Sequence, residues 1–246
     1  MNTINSFKKG LKDGLPICIG YFPVSFAFGI FAVENGLTIL QAFLISVTNL
    51  TSAGQLAAVP IISGGGTLIE LAVSQLVINS RYSLMSVSLG QKLSSKVKLF
   101  ERMAIAFGNT DEIFAVSVSN NGELGSKYMY GVIALPVLGW TSGTLLGAIA
   151  GNVLPPIISA ALGVAIYGMF IAIVVPVAKK EKATALCVLL SIALSCAFKY
   201  VPFLQNVPSG FVVIICAVVS SVIFALAAPI KTEDTESPDK EVKSNG

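Results

Sequence analysis

Charged and amide side chains stand out in this chain because they interrupt stretches that are otherwise apolar. The stretch 67–90 carries Glu70, Gln75, Asn79, Arg81 and Tyr82. Arg81 lies too deep in it to reach water by extending its side chain, and ionisable groups at such depth mark function or an ion pair. A guanidinium there can hold a carboxylate through two parallel hydrogen bonds, or it can form a structural pair with Asp111 or Glu112. Glu70 and Arg81 share a helical face but lie roughly 16 Å apart along the axis, too far to pair with each other. Gln75, Asn79 and Tyr82 share a second face at helical spacing.

Three further segments have chemical content. Asn49-Leu50-Thr51-Ser52-Ala53-Gly54-Gln55 places Asn49, Thr51, Ser52, Gly54 and Gln55 in the middle of an apolar run. A helix broken there would offer N–H groups to a carboxylate and C=O groups to an ammonium. The alternative is interhelical packing through small and polar residues. Asn109-Thr110-Asp111-Glu112 sets two adjacent carboxylates in a short apolar segment. Asp111 and Glu112 are candidates to carry a coupling proton, as is Glu70. Equally, Asn109 or Thr110 could cap a helix whose first turn the acids favour. Tyr167-Gly168 is a fourth candidate, placed by an internal echo described below.

Enzymatic chemistry finds little support. The chain has no histidine, which removes histidine-based triads, metal sites and proton relays. Ser142, in Gly-Trp-Thr-Ser-Gly, has no lysine in its run to activate it. Only Asp111 is available where aspartyl chemistry needs two carboxyl groups. Cys18, Cys187, Cys196 and Cys216 fall singly in apolar runs and behave as small apolar residues. No catalytic residue, metal site or cofactor is expected, and there is no phosphate-binding P-loop.

The elements that hold these residues are long and apolar. Of 246 residues, 54% are hydrophobic and 12% charged, and the mean hydropathy is +0.81, outside the range of soluble domains. Seven runs, at about 15–33, 40–62, 67–90, 129–150, 156–178, 183–200 and 208–228, match the ~20 residues that cross a bilayer as helix. None alternates as barrel strands do. The expected fold is an all-α polytopic integral membrane protein with about seven transmembrane helices and one re-entrant or broken segment near 104–119. Residues 1–14 read as a short basic arm, 15–230 as one transport domain and 231–246 as a disordered charged tail. The first run reads as a span and not as a cleaved signal, because no small-residue cleavage site follows it.

The net charge of +3 reflects basic loops of a membrane protein and implies no nucleic-acid partner. Putting the basic groups 92–102, 179–182 and Lys231 on the cytoplasmic side gives seven crossings with the N-terminus outside, and either Lys8, Lys9 and Lys12 then lie at the outer interface or run 40–62 is broken and does not fully cross. Pro23 to Pro60 echoes Pro136 to Pro176 in layout, which suggests an inverted repeat of three crossings per unit.

Taken in order, Gly14-Leu15-Pro16, Gly20-Tyr21-Phe22-Pro23, Phe28-Gly29, Ser52-Ala53-Gly54-Gln55, Asn79 to Ser86 with Ser88-Leu89, and Thr110-Asp111-Glu112 resemble the AzlC family. Its members are large subunits of two-component branched-chain amino-acid exporters. The resemblance, over residues 8–228, implies export of leucine, isoleucine, valine and often methionine. It also implies a small hydrophobic AzlD-type subunit, the cytoplasmic membrane of a bacterium or archaeon, and no ATPase. The family often has Arg-His where this chain has Arg81-Tyr82, and an aromatic residue where it has Leu56. The competing readings are a substrate-capture subunit of an uptake system and an intramembrane hydrolase.

Overall fold

The computed structural model describes residues 3–228; the tail expected over 231–246 lies outside the described residues. Within them the chain is helical, apart from a two-residue parallel strand pair, β1 (Thr3–Ile4) with β2 (Glu123–Leu124). Ten helices follow in order: α1 (Phe7–Glu34), α2 (Ile39–Thr48), α3 (Ser52–Ser63), α4 (Leu68–Lys92), α5 (Leu99–Phe107), α6 (Asp111–Ser119), α7 (Ser126–Gly151), α8 (Pro156–Lys180), α9 (Lys182–Tyr200) and α10 (Ser209–Ala227). Four of them, α1, α7, α9 and α10, are long and apolar enough to cross a membrane. Helix α1 starts at Phe7 after a Ser6 cap, so residues 7–14, expected as an arm, are its first turns.

The centre of the molecule is the pair α1 and α7. Apolar helices gain nothing from leaving lipid for one another, so close packing must hold them together. Gly131, Gly139, Gly143 and Gly147 of α7 face α1, and a β-carbon at any of them would meet backbone atoms of Phe7, Cys18, Phe22 or Phe26. Gly10, Gly14 and Gly29 answer from α1. Contact positions advance together along both helices, so α1 and α7 run parallel.

That direction fixes the rest. Helix α4 returns: Glu70 at its start touches Gly66, while Leu89 near its end packs with Tyr128 and Met129 at the start of α7. Helices α2 and α3 do not cross. Ala42 and Val59 both pack with Phe28, Ala32 and Ala148, near the ends of α1 and α7. Ser46 meets Thr144, and Gln55 meets Trp140, deeper in the molecule. The two helices therefore dip in from the far face, turn at Asn49–Thr51 and go back. Helices α5 and α6 mirror them from the near face. Ile105 and Ile113 join the cluster at the start of α7, Ser117 reaches Met129, and the turn at Gly108–Thr110 reaches Tyr21 of mid-α1.

Three expectations change. The run 40–62 is a re-entrant hairpin and not a span, so six long helices remain among the described residues. Because α1 and α7 are parallel, the echo between them is not an inverted repeat. The inverted relation lies instead between α1 with hairpin α2–α3 and α4 with hairpin α5–α6; their turns, Asn49–Thr51 and Asn109–Thr110, are about 60 positions apart. Finally, Lys8, Lys9 and Lys12 at the start of α1 share a face with Lys92 to Arg102 and with Lys127. Helix α8 comes back far enough for Ala172 to line the central cavity, which brings Lys179, Lys180 and Lys182 to the same face. Helix α10 starts at the opposite face, where Gly210 meets Glu70. The N-terminus therefore shares this lysine-rich face, the kind of face that the positive-inside rule assigns to the cytoplasm.

Candidate functional site

The two hairpin turns meet at mid-depth beside a cavity of about 710 Å³. One side is polar, with Arg81 and Tyr82 from α4 and Thr110, Asp111 and Glu112 from the α5–α6 hairpin. The other is apolar, with Ile17 and Val24 from α1, Leu50 from the α2–α3 turn and Val137 and Trp140 from α7.

Arg81 sits roughly 20 Å into α4 from Leu68. Its guanidinium donates to Asp111 Oδ2 at 2.7 Å, with both side chains nearly half exposed to the cavity. Another nitrogen of the same group is 3.3 Å from Tyr82 Oη, and the guanidinium lies over the Tyr82 ring, 4.9 Å from its centre. The alternatives for Arg81 thus coincide: it has an ion-pair partner, and the pair forms part of the cavity wall. Glu112 accepts a hydrogen bond from Tyr21 Oη, which also lies 2.6 Å from Thr110 Oγ1. Thr110 caps α6, and Asp111 and Glu112 occupy the first turn, where the positive end of the helix dipole favours them. Cap and cavity roles coexist there as well.

Helix α3 presents a second N-terminus to the same space, without an acid in its first turn. Thr51 Oγ1 takes the Gly54 N–H. First-turn N–H groups have no helical acceptor, and Ser52 and Ala53, which carry two of them, line the cavity.

The remaining candidates separate from this group. Asn49, Gln75 and Asn79 lie behind the α2–α3 turn. Asn49 Nδ2 and Asn79 Nδ2 each donate to Gln75 Oε1 at 3.2 Å, and Gln75 Nε2 donates to the Gly54 carbonyl at 2.9 Å. They fasten the turn to α4, and Gly54 is glycine because Gln75 and Asn79 occupy the space of a side chain. Gln55 is fully buried and spends its amide on Ser46 and Trp140; it holds the wall and does not line it. Glu70 is 3% exposed and accepts the Gly210 N–H at 2.8 Å, at the start of α10 and far from the turns. Tyr167 is exposed on α8 and does not line the cavity. Tyr21 and Trp140 were missed. Tyr21 carried a signal, since it stands in the Gly-Tyr-Phe-Pro motif, but Trp140 joins the site only through a pairing of α1 with α7 that no local pattern announces.

A family model described as AzlC protein matches residues 16–154. The chain belongs to the AzlC family. The matched region holds every residue of the cavity named above except Ala172, and ends just past the end of α7. Over 190 residues, 74% of this chain and 77% of the other, it is 30% identical to the inner membrane protein YgaZ of Escherichia coli. An uncharacterized membrane protein of Archaeoglobus fulgidus is 32% identical over 69% of this chain and 75% of its own. A protein of Bacillus subtilis named branched-chain amino acid transport protein AzlC is 22% identical over 60% and 58%. No solved structure matches. This AzlC-family chain is a multi-pass plasma-membrane protein.

Proposed function

We propose that this protein is a secondary transporter that exports branched-chain amino acids (leucine, isoleucine, valine, with methionine as a further substrate) across the cytoplasmic membrane, together with a small AzlD-type subunit. The observation that carries the reading is the charge layout of the cavity. Arg81 and the Ser52 and Ala53 N–H groups stand ready for a carboxylate, Asp111 and Glu112 for an ammonium, and an apolar wall lies beside them. An amino acid with an aliphatic side chain has that pattern. Burying the side chain contributes about 1.5–3 kcal/mol, while the charged ends replace the Arg81–Asp111 pair and leave no group unpaired. The name of the Bacillus subtilis relative supports the substrate class.

Alternating access follows from the two hairpins. The α2–α3 hairpin stands between the cavity and the outside, the α5–α6 hairpin between the cavity and the cytoplasm. The Arg81–Asp111 pair ties α4 to the inner hairpin. A bound zwitterion draws the two groups apart by satisfying each separately, and this frees the inner hairpin only when substrate is present. The three charged side chains sum to −1, so the loaded site moves outward unprotonated, down the inside-negative potential, and the emptied site takes one proton outside and returns neutral, which lets inward proton movement drive export. Glu112 is the proton carrier in this scheme, because Asp111 is paired and Glu70 caps α10.

The test is efflux of labelled leucine from preloaded cells that express this chain alone or with its candidate small partner. Efflux with both chains present, and none of leucinol, which lacks the carboxylate, is expected. Absence of leucine efflux, with both proteins verified in the membrane, contradicts the substrate or the direction.

A further inference from the structure

The apolar wall contains a feature that simple lipophilic packing does not require. Trp140 is 4% exposed and lines the cavity. Its indole N–H donates to Gln55 Oε1 at 2.8 Å, Gln55 Nε2 donates to Ser46 Oγ at 2.7 Å, and Ser46 meets Thr144 Oγ1 at 2.8 Å. Thr144 lies one turn beyond Trp140 on α7. The loop therefore closes on the helix that started it, through residues that are all buried. Indole is a donor only, so it must face the oxygen of the Gln55 amide; a flipped amide would set two donors against each other. That fixes the amide, and the amide fixes the plane of the indole. Tyr21 closes the other edge, with ring centres 5.3 Å apart and planes at 75°, and Tyr21 is itself held by Thr110 and Glu112.

A phenylalanine in this position would fill the wall with no polar group to satisfy, whereas buried polar groups are costly unless each has its partner. The chain instead commits three buried residues from three helices, Gln55, Ser46 and Thr144, to the orientation of one ring. We propose that Trp140 is the specificity-determining wall of the cavity, limiting the size of the substrate side chain, and that Gln55 is its positioning residue. The inference rests on the amino-acid reading above. A substrate held by its charged ends at Arg81, Asp111 and Glu112 directs its side chain to the apolar wall, where a fixed indole admits four-carbon chains and excludes an aromatic ring.

The experiment compares transport of labelled leucine and labelled phenylalanine in cells that hold the partner subunit and either wild type, Trp140→Ala, Trp140→Phe or Gln55→Leu, with each chain quantified in the membrane. Differences of this size in a pocket change discrimination by about 10-fold or more. The phenylalanine-to-leucine ratio should rise by about that factor in Trp140→Ala, and in the same direction, by less, in Trp140→Phe and Gln55→Leu. A loosened fold lowers both fluxes and leaves their ratio unchanged. If Trp140→Ala carries neither substrate, the two milder variants decide: a wild-type ratio in both overturns the proposal. A wild type that carries leucine while no variant shifts the ratio refutes the wall alone. A wild type that does not carry leucine refutes the amino-acid reading and the wall with it.

Discussion

Glu70→Gln separates two roles that a buried carboxylate in a transporter can have. Glu70 sits in the first turn of α4 and accepts the Gly210 N–H at 2.8 Å, at the N-terminus of α10. Two helix dipoles therefore point their positive ends at it. A hydrogen bond to a charged acceptor contributes about 1.5–3 kcal/mol. Glutamine keeps the oxygen and the shape, so roughly half of that should survive the exchange. The remainder, about 0.8–1.5 kcal/mol, corresponds to a fall in melting temperature of roughly 2–6 °C for a chain of this size. The assay is thermal unfolding of the detergent-solubilised protein, alongside leucine efflux measured across a pH series. The variant should melt lower and transport with the wild-type pH profile, while Glu112→Gln should flatten that profile. Unchanged melting together with a flattened profile in Glu70→Gln would refute the capping role and return Glu70 to the proton path.

Arg81→Lys keeps the charge but loses the planar fork; insertion should be normal and leucine flux should fall at least about 10-fold, which flux normalised to membrane protein measures. Gly147→Leu sets a side chain against the Phe26 backbone and should cost about 3 kcal/mol or more, visible as loss of a monodisperse peak in detergent. Gly168→Ala, where nothing lies within 4 Å, should leave that peak intact. A fluorescent protein that folds only in the cytoplasm, fused ahead of residue 1, should be bright, since the start of α1 shares a face with the basic loops; a dark fusion contradicts the arrangement of the hairpins.

The apolar runs declared a helical membrane protein, and both breaks, at Asn49–Gln55 and Asn109–Glu112, were visible as polar residues where none belong. That Arg81 pairs with Asp111 or Glu112 was also legible as one alternative, because a guanidinium at that depth in an apolar run requires an acid and few were available; the structure selects Asp111. The choice between a crossing and a broken run at 40–62 was not legible. Ten residues down and twelve back present the same composition as one crossing, and the turn at Asn49–Thr51 has no glycine or proline to announce it. Counted as a crossing, that hairpin put the N-terminus on the face opposite the basic loops, since one crossing too many reverses every earlier segment. The echo between α1 and α7 reflected their shared glycine seam and not a repeat. Gln55 looked like a ligand because a buried amide in lipid has to bond something; that its partner is Trp140, 85 positions on, depends on how the helices assemble.

The central claim is that a zwitterion binds between the two hairpin turns, and Ala53 lies on that site. The most direct measurement is the rate at which a small thiol reagent alkylates Ala53→Cys in the purified protein, with the four native cysteines replaced by alanine. Leucine should slow the reaction in a saturable way. Leucinol and 4-methylpentanoate, each lacking one of the two charges, should give little protection. Equal rates with and without leucine, or equal protection by all three compounds, would contradict the account.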